Sequence, residues 1–136
     1  MKEMGINSFF EKCNAHDSLL TNISYDEAVK ELKIKLKNVE WVSNKKKDIL
    51  AQLNLELVFK NVSDFNVENY DHGTALEDLD AQIVDLSLVG DKKDLIKIFV
   101  EHIDFSIKPY KDYYTTIQFK ANKVVMNKNL KKRPAH

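Results

Sequence analysis

The first residues in this chain with the right types for nucleophilic chemistry are His16-Asp17-Ser18. A serine nucleophile needs a base and an orienting carboxylate that converge on it from different directions, and three consecutive residues do not supply that arrangement. The stronger reading is structural: Asp17 or Ser18 hydrogen-bonds neighbouring backbone where the first long strand begins, with His16 bonded nearby. The triplet leaves open whether His16 and Asp17 do more than form that turn. His72, His102 and His136 add no ligand spacing of the His-x-x-x-His kind. A zinc site would have to assemble in space, for instance from Asp71, His72 and a remote carboxylate, and no metal is expected. The glycines are only Gly5, Gly73 and Gly90, too few for a phosphate-cradling loop, and neither Gly-x-Ser-x-Gly nor His-Glu-x-x-His occurs. The expectation is a protein with no catalytic residues and no cofactor.

Binding chemistry is better represented. Lys45-Lys46-Lys47 and the tail lysines offer contacts to phosphates, and Tyr110, Tyr113 and Tyr114 offer rings on which bases stack. Lysines that alternate with apolar residues are, however, the ordinary wet face of a strand, and they discourage edge-to-edge aggregation. Nucleic acid is therefore the weaker option. Charge segregation is the more unusual feature. From Asn61 to Asp91 there is no Lys or Arg, while Asp64, Glu68, Asp71, Glu77, Asp78, Asp80, Asp85 and Asp91 all fall there, in a chain whose 21 basic and 21 acidic residues cancel. Gathered on one face, those carboxylates would attract a cationic partner and speed its encounter. Spread over loops, they would only solvate the surface and offset the lysine-rich strands. Asp64, Glu68, Asp71, Glu77, Asp78 and Asp80 are the candidate partner-binding residues.

The elements that must carry these residues are mostly strands. Ser8 with Glu11 three residues later reads as a capping box, so a short N-terminal helix is expected over Asn7–Asn14. From Leu19 the period becomes two: Leu19, Thr21, Ile23 and Tyr25 alternate, and Leu32, Ile34 and Leu36 alternate with Lys33, Lys35 and Lys37, a hairpin pattern in which one face is dry and one wet. Leu53, Leu55, Leu57 and Phe59 give the strongest strand. Phe65 and Val67 suggest an irregular edge strand, and Asn69–Thr74 a loop. Leu76, Leu79 and Ile83 allow at most one helical turn before a strand through Val84, Leu86 and Leu88. Leu95–Val100 reads as a strand buried on both faces. Tyr113–Ala121 and Val124–Met126 supply the last two. The fold class expected is all-β, mainly an antiparallel sandwich or open barrel of about seven strands with a short N-terminal helix.

The 136 residues, 43% hydrophobic, suit one domain over 1–127, with a basic tail over 128–136 that is too polar to pack and should fray. Cys13 is the only cysteine, which rules out an intramolecular disulfide and suits a reducing compartment. No stretch approaches the roughly 20 apolar residues of a membrane helix, and the start lacks an export signal, so the expected location is cytoplasmic, with no membrane partner.

His16-Asp17-Ser18 ahead of the first strand, Leu57-Val58-Phe59-Lys60-Asn61-Val62, and Ile117-Gln118-Phe119-Lys120-Ala121-Asn122-Lys123-Val124 together resemble the small β-rich immunity-type proteins found beside bacterial polymorphic toxins. The resemblance spans His16 to Asn127 on short motifs. It implies a protein that binds a cognate toxin domain and blocks it, for many toxin nucleases through an acidic surface set against a basic cleft. It transfers no catalytic residues, and the basic tail and the Asn38–Asp48 connection depart from it and leave the toxin class open. The alternative is a small ligand-binding or enzymatic β-sandwich with a deep pocket lined by His16, His72 or the tyrosines. Partner identity and oligomeric state are not encoded in any motif.

Overall fold

Strict alternation of Leu32, Ile34 and Leu36 with Lys33, Lys35 and Lys37 produces a strand whose apolar side is fully buried and whose lysines are exposed. The same rule builds most of the molecule, seen here in a computed structural model that describes residues 2–42, 49–68, 81–90, 94–104, 108 and 111–130. Among these residues the chain forms β1 (Lys2–Gly5), α1 (Ile6–Lys12), β2 (Cys13–Asn14), β3 (Leu19–Asp26), β4 (Glu31–Val42), β5 (Ile49–Lys60), β6 (Ser63–Glu68), β7 (Ala81–Leu88), β8 (Leu95–Asp104), β9 (Lys111–Lys120) and β10 (Lys123–Leu130). All pairings are antiparallel, in the order β1-β10-β5-β4-β3-β7-β8-β9-β6, with β2 paired to β4 off that path.

The sheet is open, and it coils until one face closes on itself. Phe59 on β5 and Phe119 on β9 are five strands apart along the path, about 24 Å in a flat sheet, yet their ring centroids lie 5.0 Å apart. Tyr25 on β3 stacks on Phe65 of β6 at 4.4 Å in the same way. Two halves result, β1-β10-β5-β4-β3 and β7-β8-β9-β6, whose inner faces share one core. Three corners join them. β3 and β7 share only the pairs Leu19↔Gln82 and Leu20↔Ala81. The chain bends at Asn61-Val62 between β5 and β6, and at Ala121-Asn122 between β9 and β10, while Lys60↔Lys123 and Ser63↔Lys120 keep one register across the bend. Asn61 takes φ 55°, a left-handed conformation that asparagine tolerates better than most residues, and its side-chain amide donates to Asn122 Oδ1 at 3.2 Å. Val62 and Ala121 are buried at these bends, and their N–H groups donate to Lys30 O and Asp94 O.

The helix seats Phe9 on Trp41 and Phe59, closing one side of the core. Burying a ring of that size stabilises the fold by about 2–3 kcal/mol.

Several expectations need correction. Ten strands form among the described residues instead of about seven, partly because β1 and β2 flank the helix in a stretch too short to show a period. Ser8 lies inside α1 and does not cap it; Gly5 occupies the N-cap and makes no side-chain bond there. β4 continues through Val42 because Val39, Trp41 and Val42 are buried, so the connection expected from Asn38 is shorter. Ala81 to Ile83 belong to β7 and not to a helical turn. β10 runs through Leu130, three residues into the stretch read as tail, because its ladder to β5 (Lys128↔Leu55, Leu130↔Leu53) depends on backbone bonds that any residue type can make. Leu76, Leu79 and the Asn69–Thr74 loop lie outside the described residues.

Candidate functional site

His16, Asp17 and Ser18 form the joint between the two halves. Asp17 N–H donates to Ile83 O, and Ile83 N–H donates to Ser18 O, continuing the β3–β7 ladder past its two registered pairs. Asp17 adopts φ 66°, which turns the chain into β3, and its Oδ1 accepts from Gln82 Nε2 at 2.9 Å. Ser18 is fully buried, and its hydroxyl donates to Ala15 O at 2.6 Å. His16 Nδ1 lies 2.7 Å from Val84 O; a carbonyl only accepts, so Nδ1 carries the proton. That leaves Nε2 exposed, 3.6 Å from Asp17 Oδ1. The serine oxygen thus serves the backbone, and the triplet ties strands together without forming a nucleophile–base pair.

The other motif segments also sit at corners. Phe59-Lys60-Asn61-Val62 and Phe119-Lys120-Ala121-Asn122 face each other across the two bends, and Lys60 bonds Glu31 at 2.6 Å beside them. These residues turn the sheet.

Among the partner-binding candidates, Asp64 and Glu68 are on β6, and Asp71, Glu77, Asp78 and Asp80 lie outside the described residues, in the segment that joins β6 to β7. Glu68 does not stand alone. Register runs Asp85↔Phe99, Phe99↔Thr116 and Thr116↔Glu68, one straight row on the outer face of β7-β8-β9-β6. The next row holds Gln82, Glu101 and Tyr114. Phe99 and Tyr114 are diagonal neighbours whose rings stack at 5.6 Å with only 17° between planes, and Tyr114 is 45% exposed. The Tyr114 hydroxyl donates to Glu101 at 2.8 Å. Two carboxylates, Glu68 and Asp85, therefore flank an aromatic pair from opposite edges of the half-sheet, about 14 Å apart at normal strand spacing. Asp85 is shared with Lys97 at 3.6 Å and Ser87 at 2.8 Å. Asp64, at φ 53° in the irregular start of β6, turns instead to Lys120 at 3.5 Å.

Composition could point to the acidic segment but not to the aromatic pair. Phe99 reads as part of a doubly buried run, yet its side chain faces outward; Ile96, Ile98 and Val100 are the buried residues of β8.

No family model, characterised protein or solved structure matches this chain.

The remaining candidates are dispersed. His102 lies opposite Tyr113 between β8 and β9. His72, His136, Tyr110 and Lys45 to Lys47 lie outside the described residues. No group of three or more metal-ligating side chains forms among the described residues, and no helix among them is long and apolar enough to cross a membrane. Cys13 packs against the core opposite Trp41, and burial pushes its thiol up to about 12, so at neutral pH it remains an uncharged, poorly nucleophilic thiol.

Proposed function

We propose that this chain is a non-enzymatic interaction protein that docks a basic protein partner on the outer face of β7-β8-β9-β6. The observation that carries the reading is the stacked Phe99–Tyr114 pair set between Asp85, Glu101 and Glu68 on one registered surface. Protein interfaces concentrate their binding energy in such rings, ringed by polar groups that select the partner and exclude water. Glu68, Asp85 and Glu101 supply carboxylates around the ring pair, and a basic partner is the kind that they favour. The resemblance to immunity-type proteins supports the finer reading, in which the partner is a toxin domain and docking blocks its basic cleft.

The immobilised chain, compared with Tyr114→Ala and Glu68→Gln variants of unchanged circular dichroism, should retain a basic protein that Tyr114→Ala releases and that Glu68→Gln captures more slowly. Retention indifferent to both substitutions and to salt would overturn the reading. Co-expression with a basic toxin domain encoded by a neighbouring gene, where the source genome carries one, tests the finer claim. Restored growth supports inhibition, and failure to restore it removes the toxin while leaving the docking surface to be judged by the first assay.

A further inference from the structure

The outer face of the other half carries a different chemistry. Two bulges meet there at Leu36: β3 holds one extra residue, Thr21, between the pairs Leu20↔Leu36 and Asn22↔Lys35, and β4 holds one extra residue between Leu36↔Leu55 and Val39↔Leu53. Asn38 takes φ 62° at the second bulge. Bulges interrupt the ladder and re-aim the side chains beside them, which is why they recur at binding sites. Here they open a cleft of about 210 Å³ lined by Thr21, Lys35, Lys37, Asn54 and Glu56, floored by Leu36 and Leu55, whose side chains are buried in the core.

The lining groups are complementary to one kind of ligand. Lys35 and Lys37 are exposed, and among the described residues neither ammonium has an ion-pair partner, whereas Lys60, Lys97, Lys120 and Lys123 each have one. Two ammoniums on one cleft suit a dianion better than a single carboxylate, and lysine serves phosphate well as a point charge. Asn54 uses its Oδ1 to accept from Asn38 N–H at 3.3 Å, which leaves its amide nitrogen as a donor. Thr21 gives its hydroxyl proton to Lys35 O at 3.4 Å and keeps its lone pairs. Glu56, half-buried beside them, can only accept, so it repels an anion but receives a hydroxyl. The volume is below the roughly 300–1,000 Å³ of pockets for drug-sized ligands.

We propose that this cleft binds a small phosphate monoester, with Lys35 and Lys37 on the phosphoryl group, Asn54 donating to it, and Glu56 accepting from a hydroxyl of the esterified polyol. It lies on the opposite half from the docking face and does not depend on that reading.

The test is an amide-shift titration of the full chain with inorganic phosphate and with ribose 5-phosphate, at constant ionic strength. Saturable shifts at Thr21, Lys35, Lys37 and Asn54, tighter for the sugar phosphate, are expected. Lys35→Gln with Lys37→Gln should weaken both ligands by about tenfold or more. Glu56→Gln should tighten inorganic phosphate and narrow the gap between the two ligands. Shifts that do not saturate at millimolar concentrations, that sodium chloride reproduces, or that survive in the double lysine variant overturn the proposal. Because all three substituted side chains point away from the core, the folded amide spectrum of each variant serves as the control.

Discussion

The two halves share one core, but their outer faces diverge. On β1-β10-β5-β4-β3 the wet side is a file of lysines along β4, two of them beside a cleft made by paired bulges. On β7-β8-β9-β6 the register is also broken once in β7 and once in β6, but the outer rows across Phe99 and Thr116 stay aligned and carry a stacked ring pair between carboxylates. The difference teaches that inward alternation specifies the fold while leaving outward positions free. One scaffold can thereby present a lysine-lined cleft on one side and a stacked ring pair among carboxylates on the other.

The comparison breaks most severely if the halves are not one cooperative unit. Phe59 touches both Phe9 and Phe119, so Phe59→Ala should cost about 3–5 kcal/mol and unfold both halves together. Trp41 fluorescence reports the first half and far-ultraviolet circular dichroism the whole. Their denaturation curves should coincide, and separated midpoints would show that the halves unfold independently.

A smaller effect isolates the acidic and aromatic face. Tyr114→Ala removes an exposed ring and should cost about 2 kcal/mol in partner affinity, measured by calorimetry, while shifting stability far less than Phe59→Ala. A loss of stability that matched the loss of affinity would make the ring pair a structural clasp.

Titration sharpens the contrast from the other side, because Cys13 pairs through β2 with β4. Its thiol is raised from 9.0 to about 12 in the folded chain, so above pH 9 the unfolded chain sheds a proton that the folded one keeps. Stability should therefore fall as pH rises from 9 towards 12, by at most about 1.4 kcal/mol per pH unit. Cys13→Ala should flatten that part of the profile, as read from denaturation midpoints; an unchanged slope would assign the loss to other groups.

The smallest change is at the rim. Asp85 is half-exposed and bonded to Lys97 and Ser87, so Asp85→Asn should move stability by no more than about 0.5 kcal/mol. Its signature is kinetic: slower association with the basic partner at low salt and little difference at high salt.

Much of this was legible in the chain, and the limits are physical. Leu32, Ile34 and Leu36, or Leu53, Leu55, Leu57 and Phe59, announce strands because period two is a local property of a half-buried sheet. β1 and β2 were not legible, since four and two residues cannot establish a period. For the candidate site, the missing lysines from Asn61 to Asp91 marked the acidic stretch. The outward turn of Phe99 was hidden, because an unbroken apolar run looks the same whichever residue faces out.

The sequence by itself determined the strand-rich class, the short helix near the start, the absence of any internal disulfide and the separation of charge along the chain. Only the tertiary structure decided where those charges and rings meet. Asp85, Phe99, Thr116 and Glu68 come from four strands, and the cleft beside Lys35 and Lys37 exists because bulges in two strands coincide. Strand register and coiling are set by long-range pairing between residues distant in the chain, and no local pattern records which partner each strand will find.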